Sequence, residues 1–169
     1  MKLIKALIFI LLVSCAGCST KQGAVSGFHS QSIEEKYAQL LGIEPKNISD
    51  KKLYVFIDDW YGTPYLYAGK TKKGVDCSGF ASILFREVYG KEFSGSSQSL
   101  SDQCRHIAKH ELQEGDLVFF KIDSKDVSHC GIYLQNNKFV HSTTKAGVRI
   151  DDLDQEYYKK YFEGSGRIK

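Results

Sequence analysis

The apolar residues of this chain change period part-way along, and that change limits the folds open to it. In 33–42, IEEKYAQLLG, Ile33, Tyr37, Leu40 and Leu41 fall on one helical face, with Ser32 placed as a cap and Glu35 three residues on. Asp50 is placed to cap a second helix over 51–61, with Leu53, Phe56, Ile57 and Trp60 on one side, and Gly62-Thr63-Pro64 ends it. A third helix starts at Cys77. Its apolar positions Phe80, Ile83, Leu84 and Val88 mark one buried face, Asp76 suits the N-cap and Gly90 the stop. GSSQSLS reads as a polar loop or short helix start, and from there the pattern turns to strands. Residues 117–122 read as a buried strand, 129–134 and 138–143 flank a Gln-Asn-Asn hairpin signal, and 148–150 add a strand. Residues 154–163 look like a short helix, and GRIK like a final edge strand. Helices first and consecutive strands after predict an α+β fold, with N-terminal helices packed on a central antiparallel sheet of about five to six strands.

With 169 residues the chain has room for one domain with a proper core. Its formal net charge is +3, or +1 without Lys2 and Lys5, and no basic stripe marks a nucleic-acid partner. MKLIK is a short basic region, 6–13 is an unbroken apolar run, and SCAGCST follows. Eight apolar residues are too few to cross a membrane core, which needs about 20. The pattern fits a secretory signal, and a cysteine after small residues resembles a lipoprotein processing site. Cys18, behind Ala16-Gly17, is the favoured lipidated residue; Cys15, behind Leu12-Val13-Ser14, is the alternative, and a plain cleaved signal peptide stays open. The expected organisation is a signal peptide over 1–17, a polar tether over 18–32 and one domain over 33–169. Cys77, Cys104 and Cys130 then remain, an odd number, so at least one thiol stays unpaired in an oxidising compartment. No CxxC and no close Cys/His pair of zinc-ligand spacing occurs, so no metal site is expected.

Cys77 sits in KKGVDCSGF, in the first turn of its helix. A thiol attacks as thiolate, and a free thiol titrates near 8.5. A helix N-terminus with its unpaired N–H groups lowers that value, and so does an imidazole that takes the proton. The N–H groups near Cys77 and Ser78 suit the oxyanion of an acyl-transfer intermediate, and small Ser78 and Gly79 are read as keeping access open. Of the five histidines, His29 is in the tether, and His106 and His110 lie in a polar segment. His129 and His141 bracket the hairpin, one as base and the other to orient it. Register tests the pairing. A three-residue loop at 135–137 sets His141 opposite Gly131, with His129 its same-face diagonal neighbour. A two-residue Asn136-Asn137 turn puts the histidines on opposite faces unless a bulge intervenes. The residues alone predict a thiol acyl-transfer enzyme.

GVDCSGF, EGDLVFF, HCGIYL and FVHST, in that order and spacing, resemble the NlpC family of cysteine peptidases over residues 50–169. The resemblance implies a compact papain-like fold and a Cys-His-His triad, with Cys77 as nucleophile, His129 as general base and His141 as third, polar member. Tyr65 in WYGTPYLYAG matches a tyrosine that binds or polarises substrate, and Asp76 and Ser78 flank the acyl and oxyanion site. The implied reaction is hydrolysis of the D-γ-glutamyl–diamino acid bond, with meso-diaminopimelate expected, in peptidoglycan stem peptides through a thioacyl-enzyme. No metal or organic cofactor is implied. The expected protein is a monomer, lipid-anchored in the cell envelope at the periplasmic face of a diderm membrane. A thiol amidase or acyltransferase of the same fold, and a non-catalytic wall-binding lipoprotein, stay open. Ser94-Gly95 stands where the family often has Pro-Arg. Cys130 stands where a small aliphatic usually follows the base histidine, and is read as core, pointing away from the His129 face. Cys104 is read as part of a polar helix, a Cys104–Cys130 disulfide stays open, and 33–49 carry no motif.

Overall fold

In the computed structural model the described residues are 31–169. The signal peptide, the tether up to residue 30, Cys15, Cys18 and His29 lie outside the described residues.

The caps written into the sequence start the first three helices. Ser32 and Glu35 form a capping box at the head of α1 (Ile33–Leu41). Asp50 accepts from the Leu53 amide at 3.0 Å to open α2 (Lys51–Trp60), and Asp76 opens α3 (Cys77–Tyr89), which ends at Gly90. In α1 the buried side is Tyr37, Ala38 and Leu41, while Leu40 is 43% exposed. The helix is covered on a narrower stripe than its apolar residues offered. Between β1 (Lys70–Thr71) and β2 (Gly74–Val75) a two-residue turn closes a small hairpin just ahead of α3. Its strands are too short for periodicity to announce them. Helix α4 (Ser97–Gln103) follows, and Cys104 begins β3 (Cys104–Ile107) and is not part of a helix.

The remaining strands are β4 (Leu117–Phe120), β5 (His129–Tyr133), β6 (Lys138–Thr143), β7 (Gly147–Asp152) and, after α5 (Glu156–Tyr161), β8 (Phe162–Ile168). They make a six-stranded antiparallel sheet in the order β3-β8-β4-β5-β6-β7. The C-terminal strand is therefore interior, not the edge that GRIK suggested, because β3 adds outside it. Leu117 and Phe119 join the helix-side core with Cys130, Ile132, Val140 and Val148. Val118 and Phe120 face the other way, under Phe139, Leu153 and Tyr158. Strand β4 is buried on both faces, which explains its unbroken apolar run. Arg167 on β8 makes a two-pronged bond to buried Asp116, both prongs at 2.7 Å, and so fastens β8 beside the turn into β4.

The β5–β6 turn is the three-residue loop. Leu134 N–H bonds Lys138 C=O at 2.8 Å, and Asn136 and Asn137 take left-handed φ of 52° and 57°. Asparagine tolerates that region well. Ile132 pairs with Val140 and Tyr133 with Phe139. There the ladder stops. Residues 129–131 go on pairing only with β4, and 141–143 only with β7, so the two central strands part toward the histidines.

Strand β7 is laced to the loop after α2. Val148 N–H bonds Thr63 C=O at 2.9 Å and Gly62 N–H bonds Val148 C=O at 2.8 Å. Gly147, at φ +65°, lies so close that a Cβ would stand 2.1 Å from the Thr63 oxygen. Gly147→Ala should therefore lose more than the roughly 1–2 kcal/mol that a left-handed conformation alone costs. Urea unfolding measures it, and a loss below about 0.5 kcal/mol, the range of ordinary surface changes, would show the lacing to be loose.

Candidate active site

Three contacts place the first turn of α3. Val75 N–H bonds Pro64 C=O at 3.0 Å, Asp76 N–H bonds Gly69 C=O at 3.2 Å, and the Ser142 hydroxyl of β6 donates to Val75 C=O at 2.7 Å. The turn also presses on the preceding loop. A Cβ on Gly79 would stand 2.5 Å from the Gly69 oxygen. Gly79 is thus required for close packing, a different reason from the open access read in the sequence. The Asp76 carboxylate accepts from the Gly79 amide at 2.6 Å and from the Ser78 hydroxyl at 3.0 Å. It is engaged in capping. The Cys77 and Ser78 amides keep no intrahelical acceptor, as geometry requires in a first turn.

Cys77 is 8% exposed, and its sulfur lies 3.4 Å from the Ser97 hydroxyl of α4. That hydroxyl is 3.6 Å from the Cys130 sulfur. Cys130 does point into the helix-side core, away from His129, yet it reaches the nucleophile's surroundings. The neighbouring Cys130 thiol, the His129 imidazole and Ser97 together outweigh burial and hold the Cys77 thiol well below its ordinary range. The contact with Cys77, together with burial, pushes Cys130 up. All three described cysteines are free, so no Cys104–Cys130 disulfide exists in the structure. Cys104 packs on Gly166 at the far edge of the sheet, and burial pushes its thiol up to about 11.

His129 and His141 share the face opposite α3, the side on which Tyr158 of α5 packs. His129 stands across the ladder from Phe120, and the His141 ring lies 4.5 Å from that of Phe139. Their nitrogens, His129 Nε2 and His141 Nδ1, are 2.6 Å apart. Thiol and imidazole come from opposite faces and meet where β5 and β6 part. His141 is fully buried. Burial lowers its pKa to about 4, against a hydrogen bond from its ring to Asp151 that favours the charged form.

Four participants escaped the sequence reading: Ser97, Arg149, Asp151 and Tyr158. Asp151 Oδ2 lies 3.0 Å from His141 Nε2 and accepts from the Tyr158 hydroxyl at 2.9 Å. Arg149 Nη2 forms an ion pair with Asp151 Oδ1 at 2.7 Å. Burial pushes Asp151 up, but its bonds to His141 and Tyr158 and the charge of Arg149 bring it below the usual carboxylate value. A signal for this was present. Arg149 and Asp151 alternate with Val148 and Ile150, so one face of β7 is polar, and β7 runs beyond the expected 148–150.

A cleft of about 530 Å³ opens over the site, lined among others by Tyr65, Cys77, His129, Lys145 and Arg149. Tyr65, bridged to Val75, is raised by burial and then by the neighbouring Cys77 and Asp76 charges. His106 and His110 are exposed on β3 and the turn after it, away from the cleft. Among the described residues no group of three or more His, Cys, Asp or Glu is placed to hold a metal.

Residues 62–167 match the model of the NlpC/P60 family. A "Probable endopeptidase NlpC homolog" of Haemophilus influenzae is 40% identical over 121 residues, covering 72% of this chain and 64% of that protein. "Murein DD-endopeptidase MepS/Murein LD-carboxypeptidase" of Escherichia coli is 40% identical over 110 residues, covering 65% of this chain and 58% of the relative. The chain thus spans about three fifths of the length of these curated relatives. The crystal structure of an NlpC/P60 family protein from Bacillus cereus superposes with a TM-score of 0.65 at 29% identity, over 70% of this chain and 40% of that one. With the match running from the loop before the nucleophile helix to the last strand, through every segment that shapes the cleft, the chain belongs to the NlpC/P60 family.

Proposed function

We propose that the protein is a cell-wall endopeptidase in which Cys77 attacks an amide of a peptidoglycan stem peptide. The observation that carries this reading is the thiol itself, held at a helix N-terminus beside an imidazole that a second imidazole supports. The Cys77 sulfur adds to the carbonyl carbon while His129 holds the thiol proton. The oxyanion faces the Cys77 and Ser78 amides. The intermediate collapses, the C–N bond breaks, and His129 gives its proton to the leaving amine. His129 then takes a proton from water, which attacks the thioester; the C–S bond breaks, the acid leaves, and His129 returns the proton to the sulfur. No step calls for a metal or organic cofactor.

The bond we favour joins D-γ-glutamate to meso-diaminopimelate, as the family resemblance implies. Lys145 and Arg149 in the cleft suit a substrate rich in carboxylates, and Tyr65, which lines the same cleft, is our candidate to touch it. A second reading is the D,D cross-link, favoured by the name of the Escherichia coli relative. The proposal includes a monomer held at the periplasmic face of a membrane by lipid on Cys18, or Cys15. Among the described residues no helix is long and apolar enough to cross a membrane.

Incubation of the purified protein with L-Ala-γ-D-Glu-diaminopimelate peptides and with D,D-cross-linked dimers, read by mass, separates the readings. Release of L-Ala-γ-D-Glu by wild type and not by Cys77→Ala is the expected result. Cleavage of the dimers alone would move the bond to the cross-link. No hydrolysis with a reactive Cys77 would favour an amidase or acyltransferase, and no hydrolysis with an inert one a wall-binding protein.

Cys77 should be alkylated by iodoacetamide with a pH midpoint below the roughly 8.5 of a free thiol. Cys130→Val and His129→Ala should each move that midpoint upward, and Cys104 should stay unlabelled at neutral pH. A wild-type midpoint near 8.5 would remove the activated thiol from the proposal.

A further inference from the structure

His141 is the most enclosed group in the site, and both of its ring nitrogens are engaged. Nδ1 faces His129 Nε2 at 2.6 Å, and Nε2 faces Asp151 Oδ2 at 3.0 Å. Each contact needs one donor and one acceptor, and a neutral imidazole offers one of each. The carboxylate decides between the two tautomers. Asp151 Oδ1 is held by Arg149 at 2.7 Å, and Oδ2 already accepts the Tyr158 proton at 2.9 Å. A carboxylate with a cation on one oxygen is an acceptor only, so the His141 proton must lie on Nε2. The Tyr158 oxygen, 3.4 Å from the same nitrogen, can then only receive that N–H. His141 Nδ1 is left with a lone pair, and His129 must donate to it from Nε2. The other nitrogen of His129, Nδ1, then carries the free lone pair or the proton taken from the thiol.

We infer that Asp151 is a positioning residue that sets the tautomers of both histidines, so that His129 Nδ1 stands ready for the Cys77 proton. The order is Cys77, His129 Nδ1, His129 Nε2–H, His141 Nδ1, His141 Nε2–H, Asp151. No proton need leave Asp151, and none is passed along the whole row. When His129 accepts the thiol proton, its Nε2–H still donates to His141. Without the carboxylate, His141 can hold its proton on Nδ1. His129 Nε2 then becomes the acceptor, and its Nδ1–H is turned on the sulfur, which blocks base function. The inference deepens the reading of Cys77 as a nucleophile with His129 as its base, and rests on it. Arg149 and Tyr158 act on Asp151 from its own strand and from α5, and His129 and Cys77 complete the titratable groups facing the pair.

Two measurements test it without any peptide substrate, so a failure of the hydrolysis assay leaves them readable. In the unaltered protein at neutral pH, the ring-nitrogen NMR shifts of His141 should show Nε2 protonated and Nδ1 bare. A proton on Nδ1 overturns the inference, and this reading needs no variant to fold. The second measurement is the pH profile of Cys77 alkylation. Asp151→Asn should raise its midpoint by about one unit or more. His141→Asn replaces the imidazole by an amide whose oxygen is always an acceptor, so no tautomer remains to be set. In that background Asp151→Asn should add little further shift. An equal shift in both backgrounds would make Asp151 an independent structural group and overturn the proposal. Where hydrolysis is detected, Asp151→Asn should lower kcat on the order of 10²–10⁴-fold with KM nearly unchanged, the scale of loss that a wrongly protonated base causes in a catalytic triad.

Discussion

The cleft depends on where the first turn of α3 meets the sheet. One hydroxyl–carbonyl bond, from Ser142 of β6 to Val75, carries that meeting, and the Asp76 cap and the Gly79–Gly69 approach keep the turn from sliding. The thiol and the two first-turn amides take their positions from it, and Ser97 and Cys130 meet the thiol there from α4 and β5. Reacting groups must hold separations to about an ångström for attack to be productive. The site therefore draws its precision from backbone packing rather than from the catalytic side chains themselves.

The second constraint is the gap between β5 and β6. Where the sheet parts in its middle, 129–131 stay paired on the β4 side and 141–143 on the β7 side. Side chains span the opening in place of a ladder. His141 is tolerated at full burial because both nitrogens are bonded, and an unpaired polar group there would cost about 1–3 kcal/mol. The same burial keeps it neutral at neutral pH, so it supports His129 without competing for the proton.

Much of this was legible in the sequence. Ser32, Asp50 and Asp76 act through the residue two or three positions on, so their caps could be read locally. The sequence left the β5–β6 connection open between a three-residue loop and a two-residue turn with a bulge, and the left-handed Asn136 and Asn137 form the first. Cys77, His129 and His141, the residues that the family resemblance named, line one cleft. What stayed hidden depends on partners distant in sequence. β3 (CRHI) has almost no apolar pattern and exists because β8 pairs with it, which also makes β8 an inner strand. Leu40 fits the apolar stripe of α1 but no element covers it. Ser97 looks like any loop serine until α4 is set against Cys77. Asp151 sits among other acidic residues, and only the β6–β7 register, Phe139 against Asp151, brings it under His141.

The interior place of β8 has a consequence for the route by which the sheet is made. Residues 104–107 lack their only partner strand, and 117–120 one of their two, until 162–168 have been synthesised. Contacts of such long sequence separation form slowly, because a large loop must close before any bond rewards it. Until then β3 and β4 present bare edges, the geometry to which foreign extended chains add. Closure by β8 covers both facing edges at once, so the joining of β3 to the β4–β7 meander is a late event in the assembly of the sheet.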